Sequence, residues 1–361
     1  RNILAHLAKQ GPEHQILAWV PEEWATDHGV TQTSVPGNVT LRFTQPGIGR
    51  KLWLENWQIR RALRRWGADV LFSTSDTSIV GCRVPHLLLV HQSNLAHSPA
   101  ERHGPMPVTA RLRWRLMDVY LTLGLRTVTT LTVQTHDMAA RMSDRFGFPR
   151  ERIAVIPSAV ERKEHATLET DALENAPPFV TYVSSASPHK NFAVLAPMMA
   201  HLRDRCPDLQ CRVTVTPEQV PDLVREAERL QVAESFVFLG RVSQAEAARL
   251  LRRAKALVMP SKLESFGLPY YEAMAEGTPV VAADRAFAHE ACGDAGAYAD
   301  ADSGEAFADA VAELIDDEAL YKARSEAALA RFEAVGRSWD AITAEYLQIL
   351  QSLHANAPQT R

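Results

Sequence analysis

Apolar residues along this chain fall into short runs separated by longer stretches with a helical period. The runs lie at 15–20, 39–43, 69–72, 86–91, 127–135 and 152–156 in the first half, and at 179–183, 212–216, 235–239, 256–259 and 278–283 in the second. Each is bounded by Gly, Pro or polar residues, which is the pattern of buried strands. Residues 1–10, with Ile3, Leu4, Leu7 and Ala8 on one side, read as an amphipathic helix, as do 51–66, the stretch around 111–116 and 136–146. Ser243 and Glu246 have capping-box spacing and mark a further helix start. Short strands alternating with helices predict an α/β chain of doubly wound parallel sheets. The order opens on a helix rather than a strand.

Residues 161–178 break the pattern. They carry charge without hydrophobic periodicity and end on Pro177 and Pro178, as a linker would. A chain of 361 residues also exceeds the ~250–300 at which one core tends to split. The expected organisation is therefore one domain over 1–160, a linker over 161–178, a second domain over 179–335, and a final helix over 336–361 that packs back toward the first domain.

Composition narrows the class. With 46% hydrophobic and 23% charged residues the chain is an ordinary globular protein. No apolar run approaches the ~18 residues of a membrane span, and no signal peptide is visible at Arg1. Cys82, Cys206, Cys211 and Cys292 have neither metal-ligand spacing nor disulfide-rich density, so a cytoplasmic location is expected. The net charge of -4 hides an asymmetry: up to Glu164 there are 21 Lys and Arg against 14 Asp and Glu, and beyond it 18 against 29. Arg60, Arg61, Arg64 and Arg65 cluster on one predicted helix, and Arg111, Arg113 and Arg115 interleave with Leu112, Trp114 and Leu116 on another. An anionic partner for the first half, such as the inner face of the cytoplasmic membrane contacted peripherally, competes with a plain solvated basic surface. Nucleic acid is not expected.

The densest chemistry lies between the runs at 256–259 and 278–283. Pro269 suits the first turn of a helix and Gly277 the position past its end. The backbone amides of Phe266, Gly267 and Leu268 would then be open donors at a helix N-terminus, where Gly267 admits a close ligand; that is an anion site, with phosphate the natural anion. Glu264 and Glu272 bracket it. Glu264 can face the ligand or be a solvated loop charge, and Glu272 can reach the ligand or serve the helix dipole. By contrast, G-I-G-R-K-L from Gly47 misses the third glycine of a dinucleotide fingerprint. Asp300 to Asp302, D-A-D, reads as a turn, and no metal site is expected.

The run E-S-F-G-L-P-Y-Y-E-A-M-A-E-G-T-P-V-V from Glu264 to Val281 resembles the signature of the retaining, sugar-nucleotide-dependent glycosyltransferases of family four, group 1. Two glutamates flank F-G-L-P, and E-A-M-A-x-G-T-P-V-V follows, with Ser265 where glycine is usual. The resemblance implies the GT-B fold, two Rossmann-like domains facing across a cleft, the first on the acceptor side and the second binding the nucleotide sugar. It implies that Glu264 holds the donor sugar, Glu272 the ribose hydroxyls, and Ser265, Phe266, Gly267 and Leu268 the donor phosphates. Lys190 matches a lysine that neutralises the diphosphate, with a solvated lysine as the alternative, whereas Ser185 replaces the usual arginine of that pattern, so the clamp either has one fewer cation or draws on another basic group such as His189. Gly240, Arg241 and Val242 match a turn that supports the nucleobase, although Arg241 could equally be an exposed cation. His91, at a strand end, matches a histidine near the donor sugar, with a structural role as the alternative.

The departures are I-P-S-A-V-E from Ile156, where I-P-N-G-V-D is usual, and the missing first strand. Either residues precede Arg1 or the sheet begins one strand short. The activity implied is metal-independent transfer from a nucleoside-diphosphate sugar, a substrate rather than a cofactor, to a glycan or lipid-linked acceptor. The alternative is a non-catalytic sugar-nucleotide-binding or scaffold subunit of a glycan assembly complex.

Overall fold

The computed structural model describes residues 2–45, 54–99, 108–162 and 177–357. The described chain divides into two compact units, one within Arg1–Ala96, Met106–Ala159 and Arg337–Arg361, the other within His97–Pro105 and Val160–Gly336. The G-I-G-R-K-L stretch from Gly47 and most of the predicted linker, residues 163–176, lie outside the described residues.

In the first unit, strands β1 (Ile16–Pro21) and β2 (Val39–Thr44) form a parallel pair. Strands β3 (Leu71–Ser73), β4 (His86–Leu89), β5 (Thr130–Val133) and β6 (Ile153–Val155) form a separate parallel sheet in that order. The single doubly wound sheet expected for this half is thus divided in two among the described residues. β4 is buried at every position, because helices cover both faces of a parallel sheet and no residue can turn to water. Leu54–Ile59 is wound as a π-helix that continues into an α-helix over Arg60–Trp66, so the described part of the predicted helix is helical but underwound at its start, where the bonds run i→i+5.

The last helix, Trp339–Ala355, belongs to this unit. Its Ile342, Tyr346 and Leu353 are buried with Leu7, Leu87, Ile156 and Ala159. His6 Nδ1 lies 2.7 Å from Asp340 Oδ1, and Gln10 donates to the Asp340 carbonyl at 2.9 Å, so the first and last helices are tied by polar contacts as well as packing.

The second unit is one six-stranded parallel sheet, ordered β12-β11-β10-β7-β8-β9. Its strands are β7 (Phe179–Tyr182), β8 (Gln210–Val213), β9 (Phe236–Phe238), β10 (Leu257–Met259), β11 (Val280–Ala283) and β12 (Gly296–Ala299). The strand order reverses between β7 and β10, and at such a switch point the two following loops diverge and leave room for a ligand at the carboxyl ends. Lys190, Ser185 and Glu264 to Gly267, predicted from sequence, sit on those two loops.

Candidate functional site

After β10 the chain turns into the helix Leu268–Ala275, with Pro269 in its first turn and Gly277 at φ 72° beyond its end. Gly267 caps the helix in a left-handed conformation, φ 74°, and no side chain caps the N-terminus. A Cβ on Gly267 would stand 2.5 Å from the Tyr270 ring, so only glycine fits this turn. Pro269 has no N–H and the Tyr270 amide bonds the Gly267 carbonyl at 2.9 Å, so of the first three helical positions Leu268 is the one whose amide is left for an anion, beside the amides of the loop before it. Phe266 is buried and stacks on Tyr271, with ring centroids 4.2 Å apart and planes within 7°. Two consecutive tyrosines thus brace the loop, one beneath its glycine and one against its phenylalanine.

After β7 the chain forms a tight 3-10 turn over Pro188–Lys190, and Asn191 reverses it at φ 56°. Asn191 is held there by its side-chain amide, which donates to the Ala301 carbonyl at 2.6 Å. The α-helix that follows begins only at Leu195, after a second 3-10 turn over Phe192–Val194.

The two loops lock together. Lys190 Nζ donates to Glu264 Oε1 at 2.6 Å, with both side chains nearly buried, at 14% and 8% exposure. Neither the solvated loop charge nor the solvated lysine considered from sequence describes these groups. The Lys262 amide donates to the His189 carbonyl at 2.8 Å. Beneath them Tyr182, from the end of β7, donates through its hydroxyl to the Lys190 carbonyl at 3.1 Å and, having spent its one proton, accepts from Ser261 at 2.6 Å. Burial, and then the Glu264 carboxylate, push the Tyr182 and Tyr270 phenols well above their ordinary range, so both stay neutral hydroxyls.

The other residues predicted to hold the donor lie on these two loops, on the helix after β10 and on the turn after β9. Ser265 and Glu272 are half-buried and Leu268 is exposed. Ser185 is exposed on the loop after β7. Gly240 follows β9 at φ 64°, its amide bonded to the Val215 carbonyl, while Arg241 is exposed and Val242 packs against the cluster of Phe179, Leu250 and Ala254. The exposed-cation reading fits Arg241. Asp302 donates its amide to Asp300 Oδ1 at 3.0 Å and pairs with Lys262, which makes D-A-D the turn expected.

In the first unit His91 follows β4, half-exposed. Asp76, which sequence reasoning missed, faces it: its Oδ1 accepts from the His91 amide at 2.6 Å and the Gln92 amide at 2.9 Å. An aspartate three positions past a strand end, in a Ser-Asp-Thr-Ser turn, was the one available signal. Tyr182 and Ser261 were also missed, because each reads as core.

Two family models match the chain in succession: Glycosyltransferase Family 4 over residues 1–164 and Glycosyl transferases group 1 over 167–331. The chain is a family 4, group 1 glycosyltransferase. Among relatives, the D-inositol 3-phosphate glycosyltransferase of Corynebacterium glutamicum is 35% identical over 185 residues, which cover 49% of this chain and 44% of that one. The match thus spans less than half the length of that relative. The enzyme of the same name from Pseudarthrobacter chlorophenolicus is 28% identical over 98% of this chain and 89% of its own. A solved structure, Anabaena Alr3699/HepE in complex with UDP and glucose, superposes with a TM-score of 0.72 over 97% of this transferase and 95% of that chain at 18% identity. That likeness carries the fold, GT-B, to this transferase.

Proposed function

We propose that this transferase moves a sugar from a nucleoside-diphosphate sugar to a glycan or lipid-linked acceptor, with retention of configuration at the anomeric carbon. The observation that carries the reading is the Lys190–Glu264 pair beside the uncapped helix at Leu268, placed where β7 and β10 diverge. Charge builds on the leaving diphosphate as the glycosidic bond breaks, so fixed positive groups there lower the barrier most. An ammonium has three N–H donors; one goes to Glu264, and two remain for phosphate oxygens. With the amides after Ser265 it supplies the neutralisation without calling on a metal ion. Glu264 then stands beside the diphosphate site, where the transferring sugar begins, and accepts its hydroxyls. Glu272, one turn into the helix, takes the ribose hydroxyls, and His91 contacts the donor sugar.

The same proposal places the acceptor at an anionic membrane face on the cytoplasmic side. The contact proposed is peripheral; no described helix is long and apolar enough to cross a membrane. Its support is the helix Val108–Leu125, whose Val108, Leu112, Leu116, Val119 and Leu123 are exposed along one stripe with Arg111 and Arg115 at its border.

The test is donor turnover by the purified transferase, with and without candidate acceptors and in chelator, beside titration of the free nucleoside diphosphate. Glu272→Ala should weaken that affinity about tenfold or more, as losing hydrogen bonds to a charged group would. Nucleotide binding without any transfer or donor hydrolysis across a donor and acceptor panel would favour the non-catalytic binding subunit instead.

A further inference from the structure

β3 and β4 are neighbouring parallel strands, in register from Leu71 against His86 to Ser73 against Leu88. Their following loops therefore leave the same sheet edge side by side. On the first, Asp76 adopts a left-handed backbone, φ 62°. That conformation is disfavoured for a residue with a Cβ and most tolerable to Asp and Asn, so something must hold it. What holds it is the chain after β4: one oxygen of Asp76, Oδ1, accepts from the amides of His91 and Gln92 and also lies 3.3 Å from the His91 Nδ1. Asp76 is largely buried, at 17% exposure, whereas half of the His91 side chain is open to solvent.

An ionised carboxylate can only accept. The imidazole nitrogen that faces it therefore carries the proton, and in the neutral ring the other nitrogen is then bare. We propose that Asp76 is the positioning residue of His91, fixing the ring with its proton on Nδ1 so that Nε2 accepts a hydrogen bond from a hydroxyl of the donor sugar. The inference rests on the assignment of His91 to that sugar. Holding the backbone amides and the ring through one oxygen couples the ring's direction to the loop's path, so a substrate meets a single rotamer and a single tautomer. A ring free to take the other tautomer would present an N–H to a sugar hydroxyl and would donate where it should accept.

The experiment is nitrogen-15 NMR of the full-length transferase with labelled histidine, the His91 signals identified by their loss in His91→Ala. Wild-type protein is expected to show a protonated Nδ1 and a bare Nε2, and Asp76→Ala a majority of the Nε2-protonated form that an isolated imidazole prefers. A wild-type ring protonated on Nε2, or a tautomer that Asp76→Ala leaves unchanged, overturns the proposal. Asp76→Asn retains a carbonyl oxygen for the two amides and serves where the alanine variant does not fold; its Nδ1 preference should weaken, and an undiminished preference counts against the carboxylate. Turnover should fall about 10- to 100-fold in Asp76→Ala, the scale of a displaced contact, with donor KM changing less, and the double variant with His91→Ala should be no slower than His91→Ala alone. Unimpaired transfer by His91→Ala would sink the assignment of His91 to the sugar, an outcome separate from the tautomer result.

Discussion

Lys190 and Glu264, 74 positions apart in sequence, meet at 2.6 Å and close the gap between the loops after β7 and β10. Each is the other's compensation for leaving water. Removing one partner of such a nearly buried pair leaves a stranded charge and costs about 3–5 kcal/mol, whereas replacing both with apolar groups costs far less. Lys190→Met and Glu264→Leu should each lower the unfolding midpoint clearly, and the double substitution should lower it by less than the two together. Strictly additive losses would show that the pair contributes nothing jointly.

The same lysine should separate binding from chemistry. Because its charge matters most as the diphosphate leaves, Lys190→Ala is expected to reduce turnover about 100-fold, the effect of losing one preorganised donor, while donor affinity falls less. Saturation kinetics beside nucleoside-diphosphate titration measures both. A few-fold loss at saturation would move the clamp to His189 or Arg241.

Tyr270 offers a stability test with an unusual sign. Its hydroxyl is fully buried with no hydrogen-bond partner among the described residues, while its ring fills the space under Gly267. Tyr270→Phe keeps the ring and removes the orphan, so stability should hold or rise by about 1 kcal/mol. Gly267→Ala should do the opposite, since a Cβ meets the ring and the backbone is left-handed. Chemical denaturation of the two variants decides; a destabilised Tyr270→Phe would mean that the hydroxyl has a partner such as buried water.

How much of this was legible follows from how local each feature is. The helix His136–Phe146 begins and ends where its sequence says, because Thr135 accepts from the Met138 amide and Gly147 stops the helix at φ 63°. The stretch from Glu264 to Val281 is legible for the same reason: glycine, proline and carboxylates fix it within a few turns. The β8 strand is not. Its alternation suggests 212–216, but pairing with β7 runs from Phe179 against Gln210 to Tyr182 against Val213, and beyond it the Thr214 side chain accepts from the Ser184 amide. Register set by a neighbouring strand overrides periodicity. The Lys190–Glu264 and Asp76–His91 contacts were invisible because each joins two loops through strand order, which no local pattern encodes.

His86 predicts a pH dependence. It is fully buried in β4, with Nε2 2.9 Å from Ser73 Oγ and Nδ1 without a partner among the described residues, and burial lowers its pKa to about 4. Unfolding exposes a ring with the ordinary value near 6.5, so between those two values the unfolded chain binds a proton that the folded chain does not. Stability is full above about pH 6.5 and falls as pH drops toward 4, by up to about 3 kcal/mol from this group. Urea midpoints from pH 7 to 4 should show the slope, and His86→Gln should flatten it. Equal slopes in both proteins would assign the effect to other groups.

The exposed stripe on Val108–Leu125 yields the last prediction. The opposite face of that helix is buried through Leu121, Gly124 and Leu125, so the helix is anchored by one side and leaves Val108, Leu112, Leu116, Val119 and Leu123 facing water, at 38% to 79% exposure. Asn56 bonds the Tyr120 hydroxyl at 2.9 Å, which sets the next helical segment alongside, and there Arg61 stacks over the half-exposed Trp57 with Arg64 and Arg65 around a shared hollow. Apolar residues ringed by arginine and tryptophan suit a lipid interface better than a second copy of the chain, since a second copy would oppose arginine to arginine. Each cation near an anionic surface contributes about 1 kcal/mol, so association should be reversible and weakened by salt. The full-length transferase should co-sediment with vesicles containing phosphatidylglycerol at low salt, less at high salt, and little with neutral vesicles. Leu112→Ser with Leu116→Ser should reduce binding at constant charge, while turnover on a soluble acceptor stays unchanged. Protein that remains in the supernatant with anionic vesicles at low salt would leave the stripe without a membrane partner and point to a soluble acceptor.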